Sequence, residues 1–456
     1  MEFITADDET GAFSINPAAL EVLRSITDDV AVVAIAGLQR TGKSFLLDQL
    51  TGGGFVVGNT QKSCTRGIWM HTMKVARDAG AAQSADMTVI FLDTEGLSST
   101  SRSHTFDARV FSLALLLSSY FVYNSRGTID GSALNDLSLV VELTKNIHIN
   151  AHADAGDEDG ADFKEFFPAF LWVVRDFTLD LVDKRGKRLT QRQYFERAIK
   201  DSSDTSDHAR RQNHIKRVLR GFFPQRDCVC LVRPVNKEEE LQRLATIALD
   251  AMRPEFQAGM NALKEKIFAR VKPKVLFGNP LQGKHLAALT ESYVDALNTG
   301  SVPTIATAWR RVVESQLHEA LDAATAEYAS AMAAALAASA SPESSSAEAR
   351  AAGGVPLESA ALDAQHRECA RAALARFGAA VIKDDCVDIA AHRERLLSAI
   401  EEQYAHVVAE NRRRSQLFCA ALAAEVGGVA FDADAAVAAV HDASDAARDA
   451  ALAKVC

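Results

Sequence analysis

The sequence predicts an α/β domain, with a mostly parallel sheet covered by helices on both faces, followed by an all-α region. Three observations lead there. Near-continuous apolar runs of strand length occur at Val30–Ala36, Thr88–Leu92 and Phe170–Arg175, as expected for strands buried on both faces. Helical stretches lie between these runs, the alternation that builds parallel sheets. From about residue 283 the strand-like runs stop, and alanine-rich helical periodicity takes over.

The elements follow in chain order. Val30–Ala36 reads as the opening strand, and Gly37-Leu38-Gln39-Arg40-Thr41-Gly42-Lys43-Ser44 then leads into Phe45 and a helical run. The spacing is G-x-x-x-x-G-K-S between a strand and a helix, a P-loop. Its glycines let backbone N–H groups wrap a β-phosphate, and the helix dipole adds to them. Lys43 supplies a point charge to the phosphates, and Ser44 a hard oxygen for Mg²⁺. A glycine turn with an accidental lysine is the bland alternative, and the strand and helix around the loop argue against it.

The second strand, Thr88–Leu92, ends in Asp93-Thr94-Glu95-Gly96. An acid at a buried strand's carboxyl end beside a phosphate loop suits a water-mediated Mg²⁺ contact, and Gly96 can bring its N–H close to a γ-phosphate. Between these motifs lies Ser63-Cys64-Thr65-Arg66-Gly67, where Thr65 can give Mg²⁺ a second hydroxyl and sense the γ-phosphate. The most apolar stretch, Val110 to Val122, is too short to span a bilayer and reads as a buried helix. A fourth strand is expected at Cys228–Arg233. Guanine offers two adjacent donors to one carboxylate, but no N/T-K-x-D pattern is present: Thr144-Lys145-Asn146-Ile147 lacks the acid, and Asn236-Lys237-Glu238-Glu239 has Glu in its place. Arg175-Asp176, closing the third strand, is the better placed candidate, with an Arg–Asp ion pair in a turn as its alternative.

The domain boundary falls at the turn-forming Gly278-Asn279-Pro280, giving domains of residues 1–280 and 281–456. In the second, Trp309, Val312, Val313, Leu317 and Leu321 share a helical face, as do Leu396, Leu397, Ile400, Tyr404 and Val407. Residues 338–356 and 151–162 read as exposed loops, and Lys184-Arg185-Gly186-Lys187-Arg188 as an exposed turn.

The 456 residues carry a net charge of −10, which argues against a nucleic-acid binder. The acidic N-terminus lacks a signal peptide's basic start and apolar run, and the seven cysteines are scattered as in a reducing compartment. A soluble cytoplasmic chain is expected. Cys456 is the last residue, whereas a prenylation box places its cysteine fourth from the end, so membrane recruitment would be peripheral. Arg412-Arg413-Arg414 reads as a solvated helix face rather than a lipid anchor.

Together, the blocks GLQRTGKSFLLDQLTG, GFVVGNTQKSCTRGIWM, FLDTEGL, SLALLLSSYFVYNSRGTID with VVELTKNI, FFPAFLWVVRDFTLDL, FFPQRDCVCLVRPV and GNPLQGKHLAALTESYVDALNTGSVP resemble the guanylate-binding proteins, large GTPases of the dynamin superfamily. They run in family order over residues 30 to about 305, and the helical remainder resembles the family's middle domain more loosely. The resemblance implies a Mg²⁺-dependent GTP hydrolase yielding GDP, with GMP a further product in some members. It implies a homodimer through the G domain, on which higher oligomers can build. By residue, Arg40 resembles the family's internal arginine finger, Ser63 the residue positioning the attacking water, Thr65 the switch Mg²⁺ ligand and Glu95 part of the proton relay. Arg175 and Asp176 resemble its guanine-reading pair, and the segment from Arg233 to about residue 255 the cap over the base and the dimer face. The expected role is in cell-autonomous defence or membrane-associated assembly. The alternatives are an atlastin-type fusion GTPase, which would need transmembrane helices, and a nucleotide-switched scaffold.

Overall fold

The computed structural model describes residues 1–7, 10–55, 67–75, 87–97, 104–138, 166–183, 185–301, 303–338, 355–382, 384 and 387–425. Ser63 and Thr65, both expected at the site, and most of the two expected loops fall outside these residues.

In chain order, β1 is Glu2–Ala6, β2 Phe13–Ile15, α1 Pro17–Ser25, β3 Asp29–Ala36, α2 Lys43–Thr51, β4 Ile68–Val75 and β5 Met87–Thr94. Next come α3 His104–Leu117, β6 Tyr120–Arg126, α4 Gly131–Asp136, β7 Ala169–Arg175, α5 Gln191–Ala198, α6 Asp207–Phe222 and β8 Arg226–Cys230. Then follow α7 Glu238–Leu241, α8 Pro254–Phe268, the hairpin β9 Val275–Leu276 and β10 Asn279–Pro280, and α9 Gly283–Asn298. The long helices α10 Ile305–Ala338, α11 Ser359–Ala380 and α12 Ile389–Glu425 complete the described chain.

The main sheet has eight strands in the order β2-β1-β4-β5-β3-β6-β7-β8. From β5 to β8 all pairings are parallel, while β4 runs antiparallel to β5, and β1 to β4. Alternate residues of β3 feed opposite layers. Ala31, Val33 and Ile35 pack in one core with Phe45, Leu46 and Leu50 of α2 and Phe256, Met260 and Leu263 of α8. On the other face Phe111 of α3 meets Phe121 of β6, and Phe195 of α5 meets Trp172 of β7. Helices therefore cover both faces, as the apolar runs implied.

Two readings need correction. The Val110–Val122 run is not one helix: it divides into the end of α3 and the start of β6, the central strand between β3 and β7. An unbroken apolar run carries no periodicity to tell helix from strand. The break falls at Ser118-Ser119, where the Ser118 hydroxyl donates back to Leu115 and the Ser119 N–H donates to Val32 O at 2.9 Å, starting the pairing with β3. The fourth strand starts two residues earlier and ends three residues earlier than expected, at Arg226–Cys230. Leu231 to Arg233 leave it, with the Leu231 N–H still donating to Val174 and its carbonyl accepting from Phe177.

The chain forms two compact units, Met1–Val312 and Val313–Cys456. In the first, the turn at residues 277–278 takes two positive φ angles, Phe277 at 47° and Gly278 at 76°, and the tight hairpin β9–β10 leads into α9. In the second, Val313, Leu317, Tyr328, Leu396, Ile400 and Tyr404 are buried, while Leu397, a quarter-turn from Leu396, is exposed. Among the described residues, no helix is long and apolar enough to cross a membrane.

Candidate functional site

At the carboxyl end of β3 the chain turns sharply into α2. Gly37 takes φ 150°, and a Cβ there would stand 2.0 Å from the Asn124 carbonyl oxygen, so only glycine lets the loop pass over β6. Arg40 at φ 63° and Gly42 at φ 80° complete the curl. Gly42 caps α2 from the left-handed region, which places the N–H groups of Lys43, Ser44 and Phe45 in the helix's first turn, without intrahelical acceptors. The Phe45 side chain is not part of the opening: it is buried and stacked on Phe256.

Lys43 is nearly buried, and its Nζ donates to the carbonyls of Gly37 and Leu38, each at 3.2 Å. Burial lowers its pKa below the ordinary lysine value, while Asp93, Glu95 and Asp107 pull it up. The charges of three carboxylates therefore act on the loop's cation, and Asp107, on α3, is one that sequence reading missed. The Ser44 hydroxyl donates to Asp93 Oδ2 at 2.5 Å. That places two hard oxygens side by side at the start of α2 and the end of β5, the donor chemistry that Mg²⁺ takes.

β5 and the phosphate loop are stitched together beyond the sheet. Leu38 bridges Leu97, the Gln39 N–H donates to Leu97 O at 2.9 Å, and the Leu97 N–H donates to Gly37 O at 3.1 Å. Gly96 faces the loop so closely that a Cβ would meet Gln39 Cα at 2.4 Å. Glu95 is buried, and its carboxylate accepts from the Gly67 N–H at 3.1 Å while its own N–H donates to Gly67 O. The switch segment thus re-enters the described structure hydrogen-bonded to the Asp-Thr-Glu-Gly strand end. Thr41 donates to Leu38 O at 2.8 Å, a contact within the loop.

Arg175 and Asp176, adjacent in sequence, go opposite ways. Arg175 turns beneath the loop, donating from Nη1 to Gly42 O at 3.2 Å, with its guanidinium beside the stacked Phe45–Phe256 pair, 5.5 and 5.8 Å from the two ring centroids. Burial lowers its pKa to about 10. Asp176, at φ 54°, stays partly exposed and accepts from Nε and Nη2 of Arg126 at 3.0 and 2.8 Å. The ion pair in a turn therefore exists, but with Arg126 of β6 as the partner. Arg233 pairs with Glu238 at 2.5 Å, at the start of the segment expected to cap the base. Arg40 stands exposed at the loop's crest.

Sequence reading also missed Asn124, which donates from Nδ2 to Thr41 O at 3.0 Å from inside β6. No motif marks it; only recognition of β6 as the strand beside β3 would have pointed to it.

A glycine loop between strand and helix, a buried lysine within it, and a serine–aspartate oxygen pair at its edge define a phosphate-binding-loop protein of the α/β class. Comparison with known proteins narrows the class. The guanylate-binding protein N-terminal domain matches residues 10–276, and the guanylate-binding protein C-terminal domain residues 278–428. The chain belongs to the guanylate-binding protein family. It is 37% identical over 329 residues to guanylate-binding protein 1 of Chlorocebus aethiops, covering 71% of this chain and 54% of that one. It is also 37% identical over 332 residues to guanylate-binding protein 7 of Homo sapiens, covering 72% and 51%, and over 325 residues to guanylate-binding protein 6 of Mus musculus, covering 70% and 52%. The chain spans about half the length of the curated relatives it matches.

Proposed function

We propose that this protein binds GTP at the phosphate loop and hydrolyses it to GDP and inorganic phosphate. The observation that carries the reading is the convergence of the Lys43 ammonium, the Ser44 hydroxyl and the Asp93 carboxylate on one loop mouth. Lys43 neutralises charge on the β- and γ-phosphates, and the loop's N–H groups hold the β-phosphate. Ser44, Thr65 and, through water, Asp93 would hold Mg²⁺, which when bound screens the phosphate charge. A water oxygen attacks the γ-phosphorus in line, the bond to the β–γ bridging oxygen breaks, and the leaving oxygen stays with GDP. Ser63 positions that water and Glu95 takes part in relaying its proton, while the Gly96 N–H faces the γ-phosphate. The Gly67–Glu95 hydrogen bonds support this, since they tie the segment carrying Ser63 and Thr65 to the strand end carrying Glu95.

Asp176 reads guanine. Its carboxylate stands at the end of β7, and Arg126 orients it through Oδ2 alone. Arg175 serves by supporting the loop from below. Arg40, exposed at the crest, supplies charge in cis when two G domains pair through their nucleotide faces, the segment from Arg233 to about residue 255 forming cap and contact. The domains divide at residues 280/281, with the helical part as the middle domain. Membrane recruitment, where it occurs, is peripheral, and the biological role is in cell-autonomous defence or membrane-associated assembly.

Chromatography of products after incubation with GTP or ATP tests the reading. GDP should form from GTP and not from ATP, specific activity should rise with protein concentration, and Lys43→Ala should lower kcat/KM by about 10²–10³-fold. Absence of turnover in the wild type, or an unaffected Lys43→Ala, would refute it; a flat specific activity on dilution would refute the dimer.

A further inference from the structure

Asn124 lies in β6, fully buried, and meets the phosphate loop twice from below. Its backbone oxygen fills the space where a Gly37 side chain would be, and its side-chain Nδ2 donates to Thr41 O at 3.0 Å. One strand over, Arg175 donates to the next loop carbonyl, that of Gly42. Two successive carbonyls of the loop are thus drawn down toward the sheet. In a trans peptide the N–H points opposite to the C=O. The peptide carrying the Thr41 carbonyl carries the Gly42 N–H, and the peptide carrying the Gly42 carbonyl carries the Lys43 N–H. Both N–H groups are therefore turned away from the sheet, toward the open side of the loop.

We propose that Asn124 is a positioning residue: by holding the Thr41 carbonyl it aims the Gly42 N–H at the β-phosphate. The assignment rests on the nucleotide reading given above. A second feature of the same side chain supports it. Asn124 Oδ1 is buried and meets no donor among the described residues. A buried acceptor left unsatisfied destabilises a fold, and a central strand favours β-branched or aromatic side chains over asparagine. Packing gives no reason for an amide here, whereas the bond from its donor end to the loop does.

This makes Asn124→Leu an informative substitution. It is close to isosteric and removes the unsatisfied Oδ1, but it leaves Thr41 O without its donor. One buried acceptor is unsatisfied before and after, so melting in the absence of nucleotide should stay near the wild-type temperature. Affinity for GDP and GTP should fall alike, by roughly tenfold, the value of one well-placed hydrogen bond to a charged group. GMP has no β-phosphate, and its affinity should not change. Asn124→Asp keeps the shape but sets an oxygen against the Thr41 carbonyl, so it should weaken GDP and GTP more than the leucine does, and it serves if the leucine variant does not fold.

The experiment is titration of wild type, both variants and Lys43→Ala with fluorescent analogues of GTP, GDP and GMP, alongside nucleotide-free melts. Selective loss of diphosphate and triphosphate binding with an unchanged melt supports the assignment. Equal losses for all three nucleotides, a melt that falls in step with affinity, or wild-type affinity in both variants overturns it while leaving the nucleotide reading intact. A wild type that binds no guanine nucleotide overturns both.

Discussion

Gly96→Ala probes the link between the two motifs directly. The added methyl would stand 2.4 Å from Gln39 Cα, 2.8 Å from its Cβ and 2.9 Å from its backbone nitrogen, where ordinary contact begins at 3.4 Å. Most of the obstruction is backbone, so no rotamer change relieves it, and the loop must move by about 1 Å. That displacement strains the bonds between Gln39 and Leu97 and between Leu97 and Gly37. Overpacking of this kind costs about 1–3 kcal/mol, and at roughly 2–4 °C per kcal/mol for a domain of this size the melting temperature should fall by about 2–12 °C. A 1 Å misplacement of binding groups also costs about a hundredfold in rate, so GTP turnover should suffer beyond what stability alone explains. The assay is thermal melting with and without GDP, paired with kcat/KM for GTP. Gly378→Ala is the control: that exposed glycine of α11 has nothing within 4 Å of a built Cβ, and alanine there should be neutral or slightly stabilising. A Gly96→Ala protein with wild-type melting and turnover would refute the close approach and the argument built on it.

Further outcomes follow from buried cations. Lys274 is buried, its Nζ donates to Ser118 O at 2.9 Å, and burial lowers its pKa to about 7. The unfolded chain holds that proton up to about pH 10.4, so the unfolded state binds more protons between pH 7 and about 10.4, and stability should rise with pH across that window. Lys274→Met should therefore stabilise the protein more at pH 6 than at pH 9 in urea melts; an equal gain at both would contradict the burial argument. Arg175→Lys keeps the charge but loses both the guanidinium N–H bond to Gly42 O and the flat cation beside the Phe45–Phe256 pair. It should cost about 1–3 kcal/mol in denaturant unfolding and weaken GDP binding, and a wild-type midpoint would show that the guanidinium contributes nothing there.

Much of the site is legible in the sequence, because a phosphate loop is a local object. The G-x-x-x-x-G-K-S spacing works through adjacent backbone groups, so Gly37 to Ser44 declare their conformation, and the left-handed angles at Arg40 and Gly42 follow from the curl they must make. The Asp93-Thr94-Glu95-Gly96 strand end was equally plain, since an acid closing a buried strand has few other uses. The central strand β6 was not. Its apolar residues run straight on from α3, and buried helix and buried strand look alike when every position is apolar. Missing β6 meant missing Asn124, and the same gap hid Arg126, the residue that turns Asp176 into an ion pair.

The sequence alone determined the α/β class, the strand that opens the loop, the loop itself and the change to helices near residue 283, because each depends on residues close together in the chain. Only the tertiary structure decided the neighbours. It set β6 between β3 and β7, pressed Gly96 against Gln39, brought Ser44 to Asp93 and sent Arg175 under the loop while Asp176 stayed at the rim. These pairings join residues some 50 to 130 positions apart. They are fixed by which apolar faces bury one another, and no local spacing records that.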